Sequence, residues 1–123
     1  MARGAGPSPG AEPGPAAFGK GGTNPTVTDA DVTLGYIQPD RFAEGRLQID
    51  QDAAAAALRM AVGDALTLDA MSAARGVSEI VDESMASAGR MHAVESGKEI
   101  ETRLMIAFGG NGPLHATRVA RRA

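Results

Sequence analysis

The chain has 123 residues, enough for one small domain with a core of its own. Twelve basic against fifteen acidic residues give a net charge of −3, which speaks against nucleic-acid binding, where affinity comes from neutralising phosphates. There is no cysteine, so disulfides, thiolate zinc sites and cysteine nucleophiles are excluded. No apolar run approaches the roughly 20 residues of a membrane helix, and the N-terminus lacks the apolar core of a secretory leader, so a cytoplasmic protein is expected. Only Phe18, Tyr36, Phe42 and Phe108 are aromatic. A core this rich in alanine must bring helices close together.

Met1–Gly22 holds most of the seven prolines and many of the sixteen glycines, the composition of a linker. Met1–Ser8 is expected to be disordered, with residues 9–123 forming a fragment of one domain. Gly19-Lys20-Gly21-Gly22-Thr23 is a glycine-rich loop, followed by NPTVTDADVTLG. Thr28 with Asp31 three residues later predicts a capped helix start, and Gly35 its stop. Two readings stand here. Thr28, Asp29 and Asp31 are ordinary capping and first-turn acids, or Lys20, Thr23, Thr28 and Asp29 line a polar pocket.

Pro39 opens one helical turn that tucks Phe42 inward, and Gly45–Ile49 reads as a short extended piece. Asp50 predicts an N-cap for a helix over Gln51–Val62, whose Ala53–Ala57 run has the highest helix propensity available, with Gly63 ending it. The longest helical pattern covers about Asp69–Ser96. Ala70, Ala74, Val77, Val81, Met85 (or Ser84), Ala88 and His92 recur at three- and four-residue steps and define one face. Gly76 and Gly89 inside it suggest close approach of another helix or backbone, and Gly97 supplies the stop.

Leu104–Ala116, LMIAFGGNGPLHA, carries the most information. Leu104–Phe108 has the residue types of a strand buried on both faces. Gly109-Gly110-Asn111-Gly112 is a turn that lets other atoms approach the main chain, and Pro113 is a natural first helical residue. A strand, a glycine turn and a helix start together aim N–H groups and a positive dipole end at one spot, which suits a phosphate. The glycines could equally make only a tight turn. His115, one turn into that helix, is favoured neutral by the dipole, and a neutral imidazole can accept a proton or bind a metal. His92 lies on the predicted apolar face, where a core role and a ligand role both remain open. No G-x-S-x-G elbow occurs, and GKGGT has the wrong order and spacing for a Walker-type phosphate loop.

The segment FGGNGPLHA resembles the FGGxGPxHA signature of the hydantoinase A/oxoprolinase family, ATP-dependent enzymes that open cyclic amides, with related subunits in acetone and acetophenone carboxylases. GAEPGPAAFGKGGT is similar to the family's GADPGPACYGRGGT, with Ala17 where a cysteine is common. MHAVESGK resembles its RxHxVERGxDP-type stretch, with His92 and Glu95 matching, and Ser96, Glu99 and Ile100 departing. The resemblance spans roughly Gly10–Arg122 through three motifs in order. It implies an α/β fold, a mostly helical fragment with a few strands from an actin-like or acetate kinase-like ATPase core, built on a long central helix plus the strand–glycine turn–helix unit.

Catalytic roles are expected for His115, on the GPLHA match, and for Asp29, which the resemblance places in a polar pocket without assigning it a step. The resemblance implies nucleotide contacts from Gly109, Gly110, Asn111 and Gly112 and from Lys20, Gly21, Gly22 and Thr23. Apart from the resemblance, His92 and His115 together with Asp29 or Asp31 are the residue types of a divalent-metal set. ATP and Mg2+ (or another divalent ion) are the implied cofactors, a cyclic amide the substrate, and a hydantoinase B-type subunit or domain the partner, with neither nucleic acid nor membrane involved. The upstream DxGGTxTD-type phosphate loops of the family are absent, so the chain is expected to be a C-terminal portion of such a core, inactive alone. A carboxylase subunit and a non-catalytic nucleotide-binding or assembly module are the alternatives.

Overall fold

The structure, a computed structural model, describes Gly10 and residues 12–123, so the expectation for Met1–Ser8 lies outside the described residues. Among those residues every regular element is helical. The α-helices are α1 Val27–Thr33, α2 Gln51–Leu58, α3 Asp64–Leu66, α4 Ala70–Glu95 and α5 Gly112–Arg122. Short 3-10 turns occupy Ala16–Phe18, Pro39–Gly45 and Ile100–Thr102, and a π turn occupies Arg59–Gly63.

The expected α/β class is therefore overturned. Neither Gly45–Ile49 nor Leu104–Phe108 forms a strand. A strand exists through its hydrogen-bonded ladder, and neither segment has a strand neighbour among the described residues. Leu104 is 89%, Ile106 76% and Phe108 83% exposed, so the run expected to be buried on both faces lies open. Residue types that suit a pleated surface do not by themselves supply a partner.

The chain divides into two compact units, the first ending at Ser78 and the second running from Glu79 to Ala123. In the first, Ala30 of α1, Leu58 of α2, and Ala73 and Ala74 of α4 form the core, with Leu34, Val62 and Val77 packed against it. Small side chains at these positions let the helix backbones approach closely. The capping box of α1 lies two residues earlier than expected. Thr26 Oγ1 accepts from the Asp29 N–H at 3.2 Å, and the Asp29 carboxylate accepts from the Thr26 N–H at 2.9 Å. Gly35 follows the helix as its stop.

Asp50 caps α2 as expected, its Oδ1 accepting from the Ala53 N–H at 2.9 Å. Gly63 does not end that helix; the chain passes through the π turn into α3 and stops at Thr67. The glycine is required for another reason. A Cβ at Gly63 would stand 2.6 Å from the Leu68 carbonyl oxygen, and the Leu68 N–H donates to the Gly63 carbonyl at 2.7 Å. Phe42 is half-buried, its ring centroid 5.9 Å from that of Phe18.

Helix α4 begins at the cap Asp69, whose Oδ1 accepts from the Ser72 N–H at 2.7 Å. Its buried stripe is Ala74, Ser78, Asp82 and Ala86, joined by Ala73. The expected face is thus displaced, and Met85 and His92 point outward. Two of the buried positions are polar, which hides the stripe from a search for apolar periodicity. Gly76 has no atom within 4 Å of where a Cβ would sit, so the expected close approach is absent there, whereas at Gly89 Ile100 Cδ1 lies 3.2 Å away. Gly97, at φ 64°, closes the helix, with Lys98 N–H donating to Ala93 O at 2.8 Å and Gly97 N–H to Val94 O at 3.0 Å.

Candidate functional site

In the second unit the chain bends at Gly109 and Gly110, whose φ values of 67° and 49° lie in the left-handed region that glycine enters without strain. Gly109, Gly110 and Pro113 are exposed, and Asn111 and Gly112 half-exposed. Pro113 then sits in the first turn of α5, where its missing N–H costs no bond. The same turn buries His115, and Val119 follows one turn later.

The His115 side chain is turned onto α4. Its Nδ1 lies 2.6 Å from Asp82 Oδ1, and Arg118 Nε donates to Asp82 Oδ2 at 2.6 Å. Arg118 Nη2 stands 3.4 Å from the same imidazole nitrogen, and Arg122 Nη1 is 3.9 Å from Asp82 Oδ2. Asp82 is wholly buried and His115 is 2% exposed. A buried carboxylate left alone would be strongly unfavourable, and here each oxygen meets a ring nitrogen or a guanidinium. Spacing explains the arrangement: His115, Arg118 and Arg122 recur at three and four residues along one face of α5.

A second, open network lies beside it. Arg90 Nη2 donates to Glu83 Oε1 at 2.6 Å and to Ser87 Oγ at 2.9 Å, and Arg90 Nη1 donates to the Arg122 carbonyl. The hydrogen bond from Arg90, then that from Ser87, holds the Glu83 carboxyl below its ordinary value. Asp69 is held low in the same sense, first by the Ser72 N–H at the start of α4.

The first unit contains a different carboxylate site. Asp29 is wholly buried, and its oxygens accept from the N–H groups of Ala16 at 3.3 Å, Ala17 at 2.7 Å and Thr26 at 2.9 Å, and from Thr26 Oγ1 at 2.9 Å. Ala17 in turn accepts from the Asp50 N–H at 2.8 Å. Four donors engage a carboxylate fully. Asp29 thereby ties the turn Ala16–Phe18 to the start of α1. Lys20, Gly21 and Thr23 of the following loop are exposed, and Lys20 Nζ lies 3.5 Å from Glu12 Oε1. Gly22 packs against Gly14, whose carbonyl oxygen a Cβ would strike.

Of the residues singled out in the sequence, Gly109, Gly110, Asn111, Gly112 and His115 lie together in one unit, in a continuous bend and first helical turn. Lys20, Gly21, Gly22, Thr23 and Asp29 belong to the other. His92 is exposed on α4, outside the Asp82–His115 cluster. No group of three or more His, Asp or Glu among the described residues is arranged to hold a metal ion. A shallow concavity of about 420 Å3 lined by Pro39, Asp40, Gly45, Leu47, Gln48 and Ile49 contains none of the predicted site residues. Asp82 and Arg118 were invisible as site residues. The one available signal was the four-residue step Ala74–Ser78–Asp82–Ala86, which puts Asp82 on a stripe with two alanines.

The family pattern described as hydantoinase/oxoprolinase matches residues 4–123. The chain is 44% identical over 108 residues to the acetophenone carboxylase gamma subunit of Aromatoleum aromaticum, a match covering 88% of this chain and 15% of that protein. It is 37% identical to caprolactamase subunit alpha of Pseudomonas jessenii, covering 92% and 16%. The crystal structure of the ATP-dependent caprolactamase from that organism superposes with a TM-score of 0.83 at 36% identity, over 91% of this chain and 16% of that one. A nucleotide-free acetone carboxylase superposes with a TM-score of 0.80 at 26% identity, over 85% and 15%. The chain thus spans about 15–16% of the length of these relatives. No helix among the described residues is long and apolar enough to cross a membrane. With three sequence motifs, the fold of solved relatives and a match along almost its whole length, the chain belongs to the hydantoinase/oxoprolinase family.

Proposed function

We propose that this chain is a portion of an ATP-dependent cyclic amidohydrolase of the 5-oxoprolinase or N-methylhydantoinase type, which opens a lactam or hydantoin ring as ATP is hydrolysed. The observation that carries this reading is the match over residues 4–123, supported by likeness to an ATP-dependent caprolactamase. The exposed glycines before α5 suit a nucleotide phosphate, because main-chain N–H groups and the helix dipole favour an anion there. Gly19–Thr23 supplies a second glycine loop with an exposed ammonium on Lys20.

In this reading the amide oxygen of the ring takes the terminal phosphoryl group of ATP and ADP leaves. Water adds to the activated carbon, the ring C–N bond breaks and the nitrogen takes up a proton, leaving an acyl phosphate that a second water hydrolyses to the carboxylate and inorganic phosphate. The protein's part is to place donors where negative charge develops. His115 serves as the proton acceptor beside the bend, and Asp29 serves as the anchor of the Ala16–Phe18 turn that leads into the second loop. Mg2+ or another divalent ion would offset phosphate charge, but the described residues assemble no ligand cluster for one, and Asp29 is engaged by four donors. The reading includes a hydantoinase B-type partner, in keeping with relatives that are subunits, and a cytoplasmic location where ATP is supplied.

The test is thermal melting of the purified chain with ATP and Mg2+, alongside a phosphate-release assay with oxoproline or a hydantoin. Ligand that binds only the folded state stabilises it by about 2.7 kcal/mol at a hundredfold excess over Kd. Stabilisation without turnover is expected. No stabilisation at millimolar ATP overturns the nucleotide assignment, and substrate-dependent ATP hydrolysis by the chain alone overturns its being only a portion of the catalyst. A second reading, a subunit of an acetone- or acetophenone-carboxylase-type enzyme, is favoured by the 44% identity to a carboxylase subunit against 37% to the caprolactamase. Bicarbonate-dependent consumption of a ketone, rather than ring opening, by the complex containing this chain would select it.

A further inference from the structure

We infer that Asp82 is a positioning residue that fixes which nitrogen of His115 carries the proton, so that Nε2 is the ring's proton-accepting atom. The inference rests on the site reading above in taking His115 to work beside the Gly109–Gly112 bend. A neutral imidazole carries one proton. A carboxylate oxygen 2.6 Å from Nδ1 can only accept, so the proton resides on Nδ1 and the lone pair on Nε2. Arg118 reinforces the choice. Its Nε donates to the other Asp82 oxygen at 2.6 Å, which compensates the buried charge and aims Oδ1 at the ring.

Arg118 Nη2, at 3.4 Å from Nδ1, is a donor itself and offers that nitrogen no acceptor. Between these two groups, the Asp82 carboxylate is the one that can accept the Nδ1–H bond. The chain therefore holds a carboxylate–imidazole pair of the kind that orients a histidine general base, with the carboxylate three turns of α4 after its start and the imidazole in the first turn of α5. In the proposed ring opening, Nε2 would take the proton from the water that adds to the activated carbon, while the Nδ1–H···Asp82 bond stabilises the imidazolium that results.

The chain contains only His92 and His115, so the tautomer can be read directly by long-range proton–nitrogen NMR of the 15N-histidine-labelled chain. In the neutral ring without ligand, His115 is expected to show a protonated Nδ1 and an unprotonated Nε2. In Asp82→Asn, where the amide N–H can donate to Nδ1, the population should move toward the Nε2–H form. A neutral ring in the wild-type chain with its proton on Nε2 overturns the inference. So does a tautomer unchanged in a folded Asp82→Asn. Should that variant fail to fold, the wild-type spectrum still decides the proton's position.

A merely structural clasp would give no response at Nε2 to substrate. Adding ATP and oxoproline is expected to shift the Nε2 resonance together with the amides of residues 109–113. If those amides move and Nε2 does not, the positioning role is overturned while the nucleotide assignment stands. If neither moves, both fall.

Discussion

Asp29 and Asp82 are both carboxylates removed from solvent, one in each unit, and they are satisfied in opposite ways. Asp29 is surrounded by main-chain N–H groups and one hydroxyl from residues 3 to 13 positions away. Asp82 is held by side chains of α5 that lie 33 and 36 residues further along the chain. The first arrangement uses neutral dipoles that folding places in any case, and it fixes a local turn. The second brings charges together from distant sequence, and each member depends on the others. A site of the first kind resists change and is suited to anchoring. A site of the second kind couples the state of one ring to the geometry of three side chains, which is what proton chemistry requires.

The sharpest way to break this comparison is to remove each carboxylate. Asp82→Ala removes the carboxylate that faces both the buried imidazole and the Arg118 guanidinium, and breaking a buried pair from one side costs about 3 kcal/mol. Urea unfolding should show this loss unchanged between low and moderate salt, because buried pairs are little screened. Asp29→Ala should cost less, about 2 kcal/mol, by leaving the Ala16 and Ala17 N–H groups buried and unsatisfied. Thr26→Ala removes only the cap hydroxyl and should cost about 1 kcal/mol. If Thr26→Ala and Asp29→Ala proved equal, the two N–H bonds from Ala16 and Ala17 would contribute nothing, and Asp29 would be a helix cap rather than an anchor.

The two carboxylates also differ in how far the sequence disclosed them. Asp29 stands in a recognisable capping pattern, in which spacing points to Thr28 and the structure caps the helix with Thr26. A choice between two threonines two residues apart depends on which one leaves the helical backbone, and spacing alone does not say. Asp82 stands among Glu79, Glu83 and Ser84, the sequence company of a solvated helix face. Only the fold, by laying α5 along that face, buries it. The helices themselves were legible because Asp50, Asp69, Gly97 and Pro113 mark their ends with local chemistry. Leu104–Phe108 was misread because a strand is a relation between two segments, and its apolar residues describe only one of them. For the candidate site, the bend and His115 were legible from a contiguous motif, whereas Asp82 and Arg118, which give the imidazole its setting, were not.

The smallest expected effect concerns Glu83, next to Asp82 on α4 but exposed. Its folded-state pKa is depressed, first by the hydrogen bond from Arg90 and then by that from Ser87. A depressed carboxylate contributes stability that is fully present above the unfolded-state pKa, near 4.5, and is lost as pH falls through the lower folded-state value. Glu83→Gln should therefore leave stability at pH 2 almost unchanged and lower it slightly at pH 7. The acid limb of a stability–pH curve would become shallower below about pH 4.5. Because the pair is open to water, added salt should shrink the difference between wild type and variant, in contrast to the salt-independent loss in Asp82→Ala. A Glu83→Gln effect as large and as salt-insensitive as that of Asp82→Ala would mean that the two neighbouring carboxylates form a single buried cluster. The distinction between an enclosed, ring-orienting carboxylate and a solvated surface one would then fail.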